Sequence, residues 1–406
     1  MKLFFTLLFL LVALCACQQD NDFNTVKSTR TVIVYMAGEN NLSGNAGTDL
    51  TEMMAGSRNL TEKQNLIVYV DRAYAKTTPY LARVKNGELC DTVFMPEDVA
   101  ANPQVLENVI RKAKQLYPAD SYGLVLWGHC SGWLIYNSEY ISKNTTRAYG
   151  GSNHDNTANG SGRYWMDIPQ MSQAIAQGMG ADEFDFILGD CCCFACIEVA
   201  YELRNVTNYV IGSPAEVPDT GGPFEQLVPA MFMDSGLCYQ HIIDSYFDAY
   251  FEKWGYSIPL AAINTSHIDH LVHATSDILH TIPEKVGKGG SLDLYHVTYY
   301  GINSASYIYA YDMSSVLKRN AAPIDFESWL SVFQQAVPYH RHSSKWPTIF
   351  PALKGAMACF DDDAENCGDV GMFFPYDEFY YTSPNWNKAI QCYQFNDIIR
   401  WQQYGW

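Results

Sequence analysis

Short runs of consecutive apolar residues punctuate the chain, each ending in glycine or a polar turn. TVIVYMAG (31–38), NLIVYV (65–70), YGLVLWGH (122–129), FDFILGD (184–190) and NYVIGSP (208–214) all have this form. They favour β-branched and aromatic residues and scarcely alternate with polar ones. That pattern predicts strands buried on both faces. Between them lie segments with apolar residues three and four apart. NPQVLENVIRKAKQLYP predicts a helix capped by Asn102, with Pro103 in its first turn. Its stripe runs through Val105, Leu106, Val109, Ile110, Ala113 and Leu116. IPQMSQAIAQGM (168–179) and ACIEVAYEL (195–203) predict two more helices. YLARVKNGELCDTVF sets Asn86-Gly87 between strand-like halves, a hairpin signal. Strands alternating with helices predict an α/β fold, a mainly parallel sheet flanked by helices. Such a sheet carries its site at the carboxyl ends of its strands.

The pattern changes after about residue 235. Helix-like segments come first, followed by strand-like SYIYAYDMS (306–314) and VGMFFP (370–375). We read residues 30–235 as the main domain and 236–406 as a smaller mixed α+β subdomain. NSEYISKNTTRAYGGSNHDNTANGSGRYW (137–165) is dense in turn formers and reads as a long loop.

Composition narrows the function classes. Of 406 residues, 48% are hydrophobic and 17% charged, as in globular proteins. The net charge is −18, and an acidic surface argues against nucleic acid as a partner. MKLFFTLLFLLVALCACQQD opens the chain with one early lysine and a short apolar core, the pattern of a secretory signal. Its end, Leu14-Cys15-Ala16-Cys17, resembles a bacterial lipobox. That resemblance implies a signal over 1–16, a lipid on Cys17 and a tether over 17–29. The protein would then be membrane-anchored in the cell envelope, periplasmic or surface-exposed. A plain secretory signal is the alternative. Twelve cysteines suit an exported chain. Cys359 and Cys367 flank an acidic stretch as a candidate pair, whereas the four within 191–196 do not look like a disulfide framework.

Two strand ends carry the chemistry. WGHCSGW (127–133) puts His129 just past one, and LGDCCCFAC (188–196) puts Cys192 just past another. A thiol nucleophile, an imidazole and backbone donors for an oxyanion make a cysteine hydrolase. A helix starting just after Cys192 would favour its thiolate. Cysteines that merely fill space beneath the sheet are the plainer reading.

RTVIVYMAGENNL, LVLWGHCSGW and FDFILGDCCCFACIEVAYEL together resemble the clostripain family of cysteine peptidases, within the caspase-like clan. YAYDMSSVL and VGMFFP extend the likeness. The resemblance implies a caspase-like fold, with His129 as general acid/base and Cys192 as nucleophile. It implies an oxyanion hole from the backbone N–H groups of Cys130 and Cys192. The family's glycine after the histidine is Cys130 here, and its Ala-Cys-Leu core is Cys191-Cys192-Cys193. The resemblance places Asp190 in the pocket for the residue before the cut. Asp219, with Glu216 in reserve, is the second acid there. Two acids would select arginine or lysine. Asp190 also suits a helix N-cap. Some family members cut themselves; the long loop after His129 would be the place, with Lys143 and Arg147 as basic candidates, and an ordinary surface loop is the alternative.

The function expected is thus a cysteine endopeptidase cutting protein or peptide substrates after Arg or Lys. The alternative is a non-catalytic surface lipoprotein of the same fold that binds peptide or glycan. No cofactor or metal is required by this reading. His267, His270 and His273 have spacing that suggests metal but drift around a helix, so they read as a solvated face. The acidic stretch 361–366 is a candidate for calcium, which some relatives need, though it lacks EF-hand spacing.

Overall fold

A computed structural model describes residues 28–73, 78–135, 149–152, 164–233, 236–286, 292–294, 297–302, 308–347, 357–359, 367–374 and 391–401. Cys17, Lys143, Arg147 and the acidic stretch 361–366 lie outside these residues, as does the side chain of Cys359. The first half runs β1 (Ser28–Gly38), α1 (Ser43–Ser57), β2 (Gln64–Arg72), β3 (Tyr80–Lys85), β4 (Glu88–Phe94), α2 (Pro103–Leu116) and β5 (Ala119–Trp127). Then come β6 (His129–Cys130), β7 (Tyr149–Ser152), β8 (Tyr164–Met166), α3 (Ile168–Met179), β9 (Phe186–Asp190), α4 (Ile197–Leu203) and β10 (Tyr209–Gly212). The rest is α5 (Phe224–Met231), α6 (Cys238–Trp254), β11 (Leu260–Asn264), α7 (Ile268–Val286), β12 (Tyr299–Ile302), β13 (Ile308–Asp312), α8 (Met313–Asn320), α9 (Pro323–Ala336), β14 (Tyr339–Arg341), β15 (Lys345–Pro347), β16 (Met357–Cys359), β17 (Gly371–Met372) and α10 (Phe395–Ile399).

One nine-stranded sheet has the order β14-β11-β10-β9-β5-β1-β2-β3-β4. Its middle five strands are parallel, and the outer ones antiparallel. The apolar runs sit at the centre, as their lack of alternation predicts. Along β1, Ile33, Tyr35 and Ala37 face one core while Val32, Val34 and Met36 face the other. The first core lies under α2, α3, α4, α7 and α9; the second lies under α1, α5 and α6. Each large side chain buried this way contributes roughly 1.5–3 kcal/mol before entropy. Asn86 (φ 53°) and Gly87 (φ 85°) turn the β3–β4 hairpin, as NG predicts. The Asn102 side chain accepts the Gln104 N–H at 3.0 Å and caps α2.

The C-terminal part contributes to both levels of the structure. β11 and β14 join the nine-stranded sheet, while β12, β13 and β17 form a separate sheet. Two details differ from the sequence reading. The 137–165 stretch contributes strand wherever it is described, since β7 and the start of β8 fall in it and pair with β6 and each other in a small sheet. The helix expected from residue 195 starts at Ile197, with Cys196 extended before it. No helix among the described residues is long and apolar enough to cross a membrane.

Candidate active site

Strands β5 and β9 are neighbours, with Trp127 opposite Asp190. The pairing continues one step, as the Gly128 N–H donates to the Asp190 carbonyl at 3.3 Å. Gly128 has φ 145°, and a Cβ there would lie 3.2 Å from the Ala37 carbonyl oxygen. The chain then leaves the main sheet. His129 and Cys130 pair with Gly150 and Tyr149 of β7. The Tyr149 hydroxyl sits 3.0 Å from the Trp127 carbonyl oxygen and anchors that small sheet to the strand end. His129 Nε2 is 2.9 Å from Asn41 Oδ1. With Asn41 accepting, the neutral ring carries its proton on Nε2 and its lone pair on Nδ1. Asn40, beside it, donates to the Ala37 and Gly150 carbonyls and fixes that loop.

Cys192 lies in a turn built by long-range bonds. The Phe194 ring folds back over Gly189 and Gly212; a Cβ at Gly189 would come within 2.2 Å of it. Cys193 takes φ 56°, and its N–H donates to the Ala215 carbonyl at 2.8 Å. Ala195 donates to Ser213 at 3.0 Å, and its carbonyl accepts the Gly371 N–H at 2.8 Å. Because α4 starts only at Ile197, its N-terminus does not meet Cys192. The expected lowering of its thiol by such a terminus is therefore absent.

Instead, burial pushes the Cys192 thiol up to about 12, with the Val217 N–H working against this and the Glu216 charge adding to it. Sγ sits 3.4 Å from the Val217 nitrogen and 3.7 Å from its carbonyl oxygen. Burial thus favours the protonated thiol at Cys192. Alkylation of Cys192 by iodoacetamide, read on its own peptide, should speed up about tenfold per pH unit from about pH 7 to about pH 10. A flat rate over that range would reveal a standing thiolate and refute this.

Cys130, where the family pattern has glycine, is accommodated by a second thiol. The Cys130 and Cys191 side chains are hydrogen-bonded, and both are buried. That bond and the Gly132 and Ser131 N–H groups hold Cys130 below the usual thiol range, while burial pushes Cys191 up.

Two buried acids lie together near the end of β9. Asp190 is buried, accepting from the Gly222 N–H at 3.0 Å and the Tyr246 hydroxyl at 2.8 Å. Burial raises its carboxyl to about 6. It is not an N-cap, since the nearest helix starts seven residues on. Asp49 of α1 is buried beside it and accepts the Trp127 Nε1–H at 2.6 Å. Burial, then the Asp190 charge, raises Asp49 to about 8. Gly221 (φ 61°) closes over both acids: a Cβ there would lie 2.7 Å from Asp49 Oδ2 and 3.3 Å from Asp190 Oδ2. Asp219 is exposed in the turn just before these glycines, and Glu216 is half-buried.

Sequence reasoning missed Asn41 and Asp49. Asp49 had a signal, as it falls on the apolar face of α1 with Ala46, Leu50 and Met53. His270, His273 and His280 are exposed along α7, as a solvated face requires, and His267 is half-buried just before it. The Cys367 Sγ lies 3.1 Å from Thr298 Oγ1.

Comparisons with known proteins bear on the family and the fold. No curated protein sequence matches the chain significantly. A secreted C11 cysteine protease from Bacteroides thetaiotaomicron, solved with an irreversible peptide inhibitor, is similar at TM-score 0.75 and 26% identity. The match covers 93% of this chain and 100% of that one. An inactive zymogen C11 protease from Parabacteroides distasonis shares the fold at TM-score 0.74 and 22% identity, covering 93% and 99%. The clostripain family model matches residues 34–338. Mainly parallel sheet, helices on both faces and family match converge: the chain belongs to the clostripain family of cysteine peptidases.

Proposed function

We propose that the protein is a cysteine endopeptidase in which Cys192 is the nucleophile and His129 the general acid/base, cutting after arginine or lysine. One observation carries this reading. The Trp127–Asp190 pairing and the Gly128–Asp190 hydrogen bond make His129 and Cys192 leave adjacent strands at the same level. As the carbon–sulfur bond forms, the thiol proton passes to the imidazole. The N–H groups of Cys130 and Cys192 meet the oxyanion. The imidazolium then protonates the departing amine. Water, deprotonated by the same ring, releases the acyl group from sulfur.

Asp190 and Asp49 supply the buried negative charge for the basic side chain, with Asp219 at the rim. The Bacteroides relative is described as secreted. Export of this chain, with a lipid on Cys17 holding it to the envelope, fits that description and the lipobox-like Leu14–Cys17. Self-processing at Lys143 or Arg147 belongs to the same proposal.

A peptidyl electrophile ending in arginine tests it. Intact mass should show one adduct, mapped to Cys192, and none from a probe ending in leucine. Without probe, wild type should split after residue 143 or 147 while Cys192→Ala stays a single chain. A single-chain wild type would remove the self-processing step alone. The absence of any arginyl adduct under reducing conditions would overturn the enzyme. The second reading, a non-catalytic surface protein that binds peptide or glycan, draws on the thiol pushed up to about 12. Reversible probe binding without an adduct selects it.

A further inference from the structure

At one edge of the main sheet, two histidines and an aspartate converge. His340 lies on β14, the edge strand of the main sheet, and His342 follows two residues on, the spacing that puts both on one side of an extended chain. His340 Nδ1 is 2.9 Å and His342 Nδ1 2.8 Å from the same oxygen, Asp369 Oδ2. One donor atom from each of the three residues lies within 4.8 Å of the others. Both histidines are half-buried, so the cluster opens to solvent, whereas Asp369 is fully buried.

Asp369 is held in place by its surroundings. It takes φ 56°, a conformation that a non-glycine residue adopts at a cost. A second buried carboxylate, Asp312, enforces it by accepting the Gly368 and Asp369 N–H groups, each at 3.0 Å. Asp312 also accepts the Tyr300 hydroxyl at 2.9 Å, and that hydroxyl lies 3.3 Å from Asp369 Oδ1. A carboxylate ligand oriented by an outer ring of hydrogen bonds is the usual construction of a protein metal site.

We propose that His340, His342 and Asp369 form a three-ligand site for a zinc-class divalent transition metal. Two imidazoles and one carboxylate suit such an ion, whereas calcium and magnesium select oxygen alone. The donor spacing is close to the roughly 3.3 Å between ligands of a tetrahedral ion bound at about 2.0–2.1 Å. The fourth position faces solvent and takes water. The ion would replace the protons now shared between each Nδ1 and Oδ2, so its binding releases protons. It would tie the edge of the main sheet to the segment before β17. Gly371 of β17 donates to Ala195 in the nucleophile turn.

The test uses the full chain, stripped of metal with a chelator and kept reduced, on a Cys192→Ala background that removes a competing sulfur. Zinc chloride titration by calorimetry should give one equivalent with sub-micromolar affinity. His340→Ala and His342→Ala should each weaken it at least about 100-fold, beyond what loss of an outer partner costs. Cobalt(II) should show visible bands without a sulfur-to-cobalt charge-transfer band. Circular dichroism of the metal-free variants checks that they fold. If neither variant folds, the cobalt spectrum and stoichiometry of the parent decide. No binding at micromolar zinc, binding indifferent to both histidines, or a thiolate charge-transfer band would each overturn the site.

Discussion

Cys192→Ala is expected to cut hydrolysis of an arginyl bond by about 10³-fold or more, and His129→Ala by a comparable factor. The double variant should be no worse than either single one. Residues that act as one unit are not additive: once the sulfur is gone, the imidazole has no proton to take. The expectation follows from adjacent strand ends whose last shared bond joins Gly128 to Asp190. Asn41→Ala belongs with it. With Asn41 accepting from His129 Nε2, the neutral ring keeps its lone pair on Nδ1. Its loss should lower kcat about tenfold while leaving KM nearly unchanged, because it touches the ring and not the substrate. Losses that multiply in the double variant would mean that His129 and Cys192 act separately.

Asp190→Ala should reduce kcat/KM for arginyl and lysyl substrates by roughly 30-fold to several thousand-fold, the range for removing a buried partner of a charge (roughly 2–5 kcal/mol). The fold should survive, since the carboxylate costs burial energy and gains only two hydrogen bonds, from Gly222 and Tyr246. The pH dependence has a definite sign. Carboxyls raised to about 6 (Asp190) and about 8 (Asp49) become negative only as pH climbs through those values. Affinity for a basic side chain should therefore rise from below pH 6 to above pH 8. Stability runs the opposite way. A carboxyl whose folded pKa exceeds its unfolded value stabilises fully at low pH, and that contribution is lost as pH rises through the folded pKa. Asp49→Asn should then raise Tm at pH 8 by about 1–3 °C, weaken arginyl binding and remove the upper limb of the pH profile. Unchanged arginyl cleavage in Asp190→Ala would refute the pocket assignment.

The central strands were legible because burial on both faces leaves its mark in consecutive residues. β1, β2, β5, β9 and β10 all appear where unbroken apolar runs place them. The cap at Asn102 and the turn at Asn86-Gly87 are local chemistry and were equally readable. The site's finer geometry was not. The periodicity of ACIEVAYEL points to a helix from residue 195, yet Phe194 lies on Gly189 and Gly212, and Ala195 bonds to Ser213 and Gly371. Those partners are distant in sequence and override a local preference. His129 reads as the residue just past a strand's end, but its pairing partner, Gly150, sits in a stretch whose composition says only loop. Asp49 falls on the apolar face of α1, but its partners Trp127 and Asp190 are distant in sequence and cannot be read from that face.

The Ala195–Gly371 hydrogen bond has a consequence in time. A chain made from its amino end exposes the histidine and the sulfur long before residue 371 emerges. Until that late strand arrives, the turn lacks one of its ties. A chain that has not yet reached this strand therefore holds the Cys192 turn less firmly than the completed molecule does.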